Sequence, residues 1–548
     1  NRLRNDNFYF VDKTIYLPLI ERMPSYLSLT RPRRFGKSLF LSMMRTYYDL
    51  LQRDNFDRYF GDLWIGAHPT DQRNHYQVLY FDFSKAGCSV PGDGMMASFN
   101  EYSSLVINQF ADDYASFYDP DFKSTVESIS SAKAKLSYIE LKAKAKGYPL
   151  YLIIDEYDNF TNVILSEHGQ KMFHDLTHAS GFYREYFKQY KGMFDRIFLM
   201  GVSPVTLDDL SSGYNIDWNI STDSRFNAMM GFSETEVREM FRYYQENDAL
   251  PGDIEAMIAE MKPWYDNYCF ARMSLGDDRV FNCDMTLYYL RSQFDFHRSP
   301  EEMVDKNIRT DYSKLKMLAR IDHDSAHEGS RMSTIEEIAA KGEILVNLHT
   351  SFPAERVADV DNFRSLLYYY GLLTMCGTRG DRLRMCIPNH CVREQYFGFL
   401  REYYQQAHPL DLSRLKDQID DLAYDGVWKP FFESIASAYR ENSSVRDGME
   451  GERNLQGFLK AYLALASYYL VEPELEMNYG YCDFFLLPDK QRYRTLSTAT
   501  SSNSNTLPAP LPMRNLQCKP TKGIANFFNT AKIKWPDNWR RGRLFTGC

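Results

Sequence analysis

Tyr26-Leu27-Ser28-Leu29-Thr30-Arg31-Pro32-Arg33-Arg34-Phe35-Gly36-Lys37-Ser38 runs from a short apolar strand, through a basic turn, into a helically spaced segment that reaches Leu51. Backbone N–H groups at a helix N-terminus that follows such a turn cradle phosphates. In that chemistry Lys37 reaches the β and γ phosphates and the Ser38 hydroxyl binds Mg²⁺, with Arg34, Phe35, Gly36, Lys37, Ser38 and Leu39 forming the cradle. The strict motif has Gly at its first position, where this chain carries Arg31. Taken alone, a bare Gly-Lys-Ser also reads as an ordinary basic turn.

A second stretch decides between those readings. Leu150-Tyr151-Leu152-Ile153-Ile154-Asp155-Glu156 is a continuous apolar run that ends in two acids. Strands buried on both faces have this appearance in parallel α/β sheets. Asp155 would hold Mg²⁺ beside Ser38, and Glu156 would be the base that orients the attacking water, acting with Lys37. Two exposed acids after a buried strand are common, but both motifs in this order at strand ends point to nucleotide binding. Val78 to Phe83 and Arg196 to Gly201 read as further strands, and Phe226 to Met230 as a fifth. Ser203, just past the fourth strand, is a candidate sensor of the γ-phosphate or a plain loop serine before Pro204. Arg31, Arg33 and Arg34 suit phosphate contacts, a partner, or a solvated loop. Ser233-Glu234-Thr235-Glu236 has the pattern of a capping box.

Composition narrows the class. Hydrophobic residues make up 44% and charged residues 25% of the 548, so the chain can bury ordinary cores. No apolar run reaches the length of a membrane span. The nine cysteines include no Cys-x-x-Cys pair, which argues against a disulfide framework or a four-cysteine zinc site and favours the cytoplasm. Cys386, His390 and Cys391 also lack zinc spacing and are expected in a helical core. Residue 1 is Asn, so the natural start is expected upstream. The net charge of −9 divides unevenly: residues 494–548 hold nine Lys or Arg against Asp537 alone, about +8, which leaves about −17 for residues 1–493. An acidic body argues against a broad nucleic-acid footprint.

The string Arg31 to Ser38, preceded by Phe10-Val11-Asp12-Lys13-Thr14, resembles the bacterial AAA-ATPase-like family. Asp155-Glu156-Tyr157-Asp158, Gly231-Phe232-Ser233, Trp264-Tyr265-Asp266, Asn307 to Tyr312, Leu366 to Thr374 and Ile387-Pro388-Asn389 extend the resemblance over about residues 1–493. It implies an α/β P-loop NTPase fold whose parallel sheet has additional-strand topology, the phosphate-loop and Asp-Glu strands being separated by another. A mainly helical region and a C-terminal nuclease domain of the PD-(D/E)XK superfamily would follow. The expected division is 1–235 for the P-loop domain, 236–445 for the helical region, 446–493 for a partial nuclease-like α/β domain and 494–548 for a disordered basic tail.

In that nuclease superfamily, carboxylates surround divalent metal and a lysine assists. The resemblance assigns Glu452 on a helix over 449–470, Glu474 beyond a strand over 469–471, and Asp483 at the start of a strand over 482–487. The Glu-x-Lys strand due next is missing, and Gln517-Cys518-Lys519 lies among prolines. Reading Arg494 to Asn505 one nucleotide earlier permits Ile-Ile-Glu-Leu-Lys. A frameshift near Tyr493 is therefore the hypothesis for this end of the chain, and the nuclease-like domain is expected to be degenerate. Sequencing the gene across codons 488–520 tests it; absence of those codons in the neighbouring frame rejects it.

The function expected is that of a cytoplasmic, ATP-binding, Mg²⁺-dependent NTPase. The alternatives are an ATP-regulated, metal-dependent DNA nuclease and a nucleotide-switched binding module without turnover. Nucleotide is the expected partner, with nucleic acid or an unknown protein open and no membrane.

Overall fold

The computed structural model describes residues 2–6, 8–86, 93–160, 162–163, 182–205, 218–247, 250–277, 279–305, 312–319, 325–353, 356–357, 359–407, 409–443, 452–466, 468–477, 480–488, 493, 496 and 545–546. These fall into two compact units. One comprises Asn1–Met303, Arg320–Ser325 and Leu345–Asn389, the other Val304–Ala319, Ala326–Ile344 and His390–Cys548.

The first unit is built on a five-stranded parallel sheet. Its strands are β1 (Tyr26–Thr30), β2 (Gln77–Asp82), β3 (Leu150–Asp155), β4 (Arg196–Gly201) and β5 (Trp218–Asn219), in the order β2-β3-β4-β1-β5. The apolar runs form strands because both faces are covered: all six residues of β3 are buried. Register pairs Thr30 with Gly201 and Asp82 with Asp155, so the strand ends lie along one edge. β4 stands between β1 and β3, the expected separation of the phosphate-loop strand from the Asp-Glu strand. Helices α1 (Lys37–Tyr48), α2 (Asp93–Asp113), α3 (Ala132–Lys146) and α4 (Phe182–Tyr190) lie between the strands in sequence. The aromatic wealth of the sequence goes into this core, where Phe83, Phe99, Phe160, Tyr183 and Phe187 form a ring cluster.

Two expectations need correction here. The fifth strand is Trp218–Asn219, and Phe226 instead closes a short 3₁₀ turn over Ser224–Phe226 capped by Asp223. Its carbonyl is taken by the Arg31 guanidinium at 2.9 Å, so it cannot serve a sheet ladder. The first helix stops at Tyr48, because Asp49 is extended and its side chain caps Leu51 N instead.

Beyond the sheet, the first unit continues with β6 (Phe232–Ser233), α5 (Glu234–Glu246), α6 (Ile254–Tyr265), β7 (Val280–Phe281) and α7 (Cys283–Phe296). The capping box at Ser233 and Glu236 is formed, with both reciprocal bonds present. After α8 (Tyr312–Ala319), α9 (Ser325–Lys341) and β8 (Glu343–Val346), the chain adds α10 (Val360–Tyr369) and an antiparallel hairpin of β9 (Thr374–Arg379) and β10 (Arg382–Cys386). Residues 236–445 are thus helical with strands interspersed. Cys386 ends a strand, not a helix, since the alternation of exposed Arg382 and Arg384 with buried Leu383 and Met385 is the period of a sheet.

In the second unit α11 (His390–Ala407), α12 (Leu412–Asp420), α13 (Lys429–Ser443) and α14 (Glu452–Leu463) precede β10's counterpart hairpin, β11 (Tyr469–Met477) with β12 (Gly480–Pro488). Arg401 of α11 bonds the Ala461 carbonyl of α14 at 3.1 Å, and the Tyr404 hydroxyl bonds Glu336 at 2.9 Å. The helix expected over 449–470 is thus observed from 452 to 463, and the first strand continues to Met477, so Glu474 lies within it and not beyond it. Phe545–Thr546 (β13) pairs parallel with β12. Most of the remainder of 494–548 lies outside the described residues.

Candidate nucleotide site at the strand ends

The candidate phosphate loop leaves β1 at Thr30 and enters α1 at Lys37. Gly36 is the N-cap and has φ 84, a left-handed conformation that a side chain would strain. Lys37 is 5% exposed, and its Nζ donates to the carbonyls of Arg31 and Pro32, both at 3.1 Å. It also stands 3.9 Å from the Glu156 carboxylate. Burial pushes the Lys37 ammonium below its ordinary pKa, and the charge of Glu156 opposes that shift.

Asp155 ends β3, 2% exposed. It accepts from the Tyr80 hydroxyl at 3.2 Å and from Glu156 N at 3.0 Å, while burial raises its carboxyl and the neighbouring Ser38 side chain opposes that rise. Glu156 follows in a left-handed conformation with φ 52, a strained arrangement characteristic of functional turns. Burial raises the Glu156 carboxyl above the ordinary glutamate value, Lys37 opposes this, and Asp158 adds to it. The site therefore joins Lys37, Ser38, Asp155 and Glu156 from two strand ends. Ser38, exposed at the start of α1, and Asp155 supply two hard oxygen donors able to hold a divalent cation. Among the described residues no group of three or more His, Cys, Asp or Glu side chains could hold a metal ion alone.

The remaining expected residues separate by role. Arg34 pairs with Asp284 at 2.5 Å. The Phe35 ring is buried edge-on against Tyr268 and Phe270, so only its backbone faces the cradle. Leu39 is 45% exposed. Arg31, the residue at the motif's first glycine position, turns inward. Its guanidinium bonds the carbonyls of Thr30, Ser221 and Phe226 and lies 4.4 Å over the Phe270 ring. Ser203 is buried beyond β4, where its hydroxyl accepts from Val205 N at 3.3 Å and its carbonyl accepts from the Tyr157 hydroxyl. Arg225, which the sequence offers only weakly as a charge-stabilising arginine, is paired with Asp223.

Glu452 is the first residue of α14, and the pairs Pro473↔Phe484 and Leu475↔Cys482 place Glu474 opposite Asp483 in the hairpin. Their side chains lie outside the described residues.

Sequence reasoning did not assign Asp158 a role. It is 1% exposed and accepts from Val202 N at 3.1 Å and Ser203 N at 2.6 Å, locking the end of β4 onto the turn after β3. Gly201 makes the room: a Cβ there would lie 2.3 Å from Asp158 Oδ1. Four consecutive residues, Asp155 to Asp158, followed later by a strand-ending glycine, were the available signal.

Residues 1–211 match the family described as predicted AAA-ATPase, and residues 450–498 match the PD-(D/E)XK nuclease superfamily. A curated relative, an uncharacterized protein in the vnfD 5'region of Azotobacter chroococcum mcd 1, is 28% identical over 302 residues, covering 53% of this chain and 50% of that protein. The chain thus spans about half the length of the curated relative it matches. Two solved structures are distantly similar. One is the Aeropyrum pernix ORC1 protein in complex with DNA, at TM-score 0.26 and 12% identity, covering 71% of this chain and 92% of that one. The other is Drosophila ORC bound to GC-rich DNA and Cdc6, at TM-score 0.26 and 11% identity, covering 84% of this chain and 73% of that one. No helix among the described residues is long and apolar enough to cross a membrane. Two stretches of the chain are therefore similar to known families, residues 1–211 to a predicted AAA-ATPase and residues 450–498 to the PD-(D/E)XK nuclease superfamily.

Proposed function

We propose that this chain binds ATP with Mg²⁺ at the strand-end site and hydrolyses it. The observation that carries this is the meeting of Lys37 and Glu156 at 3.9 Å, with Ser38 beside Asp155, across two parallel strands separated by a third. The N–H groups of Gly36 to Leu39 at the start of α1 and the Lys37 ammonium would receive the phosphates. Ser38 and Asp155 would hold Mg²⁺, which takes few protein ligands and completes its shell with phosphate oxygens and water. When bound, the ion supplies charge neutralisation between the β and γ phosphates. Glu156, whose carboxyl is raised by burial, would accept the proton of the attacking water. Cys269, Cys283, Cys376, Cys386 and Cys391 form no disulfide, which suits the cytoplasm proposed for it.

Purified protein tests this with ATP turnover and fluorescent-nucleotide binding, comparing the parent with Lys37→Ala. Loss of binding in the variant supports the site, and unchanged turnover removes it. Tight binding without turnover in the parent would favour the nucleotide-switched binding module instead.

A second reading, an ATP-regulated nuclease, draws on the register that sets Glu474 opposite Asp483, two acidic residues at paired positions of adjacent strands. Against it stands the missing Glu-x-Lys strand. Incubation with DNA and Mg²⁺ or Mn²⁺ discriminates: cleavage lost in Asp483→Ala would establish the nuclease.

A further inference from the structure

Three arginines crowd the phosphate loop, and the structure gives them three different fates. Arg31 is 1% exposed and spends its guanidinium on three backbone carbonyls. Arg34 has φ 70 and is held by Asp284. Arg33, between them, is exposed and engages neither a hydrogen-bond acceptor nor a carboxylate among the described residues. Yet the Pro32 carbonyl, on the peptide bond that leads into Arg33, accepts from Lys37 Nζ at 3.1 Å, and Lys37 stands 3.9 Å from Glu156, so Arg33 begins one peptide away from the pair, and its charge acts on both. It is therefore a cation on the catalytic edge with no bond to break before it meets an anion.

We propose that Arg33 is the arginine that contacts the γ-phosphate and stabilises the charge of the transition state, supplied by the phosphate loop itself. The inference rests on the ATPase reading above. In the step concerned, the water oxygen forms a bond to the γ-phosphorus as the bond from that phosphorus to the β–γ bridging oxygen breaks. The electron pair leaves on ADP, the water proton passes to Glu156, and the products are ADP and inorganic phosphate. A guanidinium presents two parallel N–H donors to adjacent phosphate oxygens, which an ammonium cannot reproduce. Because the arginine belongs to the same chain, turnover needs no residue from a second copy.

The test uses the full chain and the variants Arg33→Ala and Arg33→Lys. ATP turnover is measured across a wide range of protein concentration, and calorimetry measures binding of ADP alone and of ADP with aluminium fluoride, which mimics the transferring phosphoryl group. The expected result is a parent kcat per chain that does not change with protein concentration. Arg33→Ala should lower kcat by about 10³-fold and abolish the extra affinity given by aluminium fluoride, with ADP affinity held within about threefold. Arg33→Lys should recover only part of the loss. The proposal is overturned if Arg33→Ala turns over within about threefold of the parent, if ADP affinity falls as far as kcat, or if turnover per chain rises with concentration. A parent that neither binds nor hydrolyses ATP removes the ATPase reading itself, which separates the two failures.

Discussion

The Lys37 ammonium lies 3.9 Å from the Glu156 carboxylate while both are largely withdrawn from water. Removing charges from solvent is costly unless they are paired, so each group holds the other in its charged form against the pull of burial. The contact joins the start of α1 to the end of β3, elements more than a hundred residues apart in sequence. In the proposed ATPase the same pair would bind phosphate at one end and take a proton at the other.

Lys37→Ala should weaken nucleotide binding by about two orders of magnitude. Circular dichroism should show a folded protein, since the two carbonyls it leaves can be reached by water. Titration with fluorescent ATP measures the loss.

Glu156→Gln should retain nucleotide binding and lose turnover by about 10²–10⁴-fold. In the parent, burial raises the Glu156 carboxyl, so the base is deprotonated only above the ordinary glutamate range. Turnover should therefore rise with pH along an acidic limb displaced upward, a limb that the variant lacks in a pH–rate profile.

Arg31→Gly restores the usual first residue of the phosphate motif, yet it should destabilise the protein. Three buried carbonyls lose their donor and a cavity opens beneath Phe270. A cost of about 3 kcal/mol or more follows, read as a lowered midpoint in denaturant unfolding of the full chain.

Gly201→Ala places a Cβ 2.3 Å from Asp158 Oδ1 and 2.6 Å from the Tyr157 ring. The bonds from Val202 N and Ser203 N to Asp158 would have to open, at a cost of about 1–3 kcal/mol. Thermal unfolding measures it, and slower ATP turnover should accompany it because β3 and β4 lose their common lock.

Asp266, from the Trp264-Tyr265-Asp266 motif, is 3% exposed, and one of its oxygens has no hydrogen-bond partner. Burial pushes its carboxyl from 3.8 up to about 6. The folded protein then holds a proton that the unfolded chain releases, so Asp266 lowers stability progressively as pH rises from about 4 to 6. The shift corresponds to about 3 kcal/mol. Asp266→Asn should raise the unfolding free energy at pH 8 by up to that amount in denaturant titration, with the advantage gone at pH 4.

The parallel sheet and its two motifs were legible in the sequence because burial on both faces writes itself as continuous apolar runs, as in Leu150 to Ile154. The hairpin at Thr374–Cys386 was missed although its period-two signal is present, because the surrounding aromatic helices dominate that region. Trp218–Asn219 was not legible at all: two polar or half-exposed residues form a strand only because β1 offers its open edge.

Sequence alone determined that a basic Gly-Lys-Ser turn follows one strand and paired acids another, since local chain chemistry sets strand, turn and helix start. Tertiary structure decided which side chains of that loop are available. Arg31, Arg33 and Arg34 are one residue type in nearly one place. They differ only because Ser221, Phe226 and Phe270 enclose the first, Asp284 holds the third, and the second is left exposed with neither an acceptor nor a carboxylate among the described residues. Long-range contacts from residues some 190 to 250 positions away assign those roles, and no local pattern encodes them.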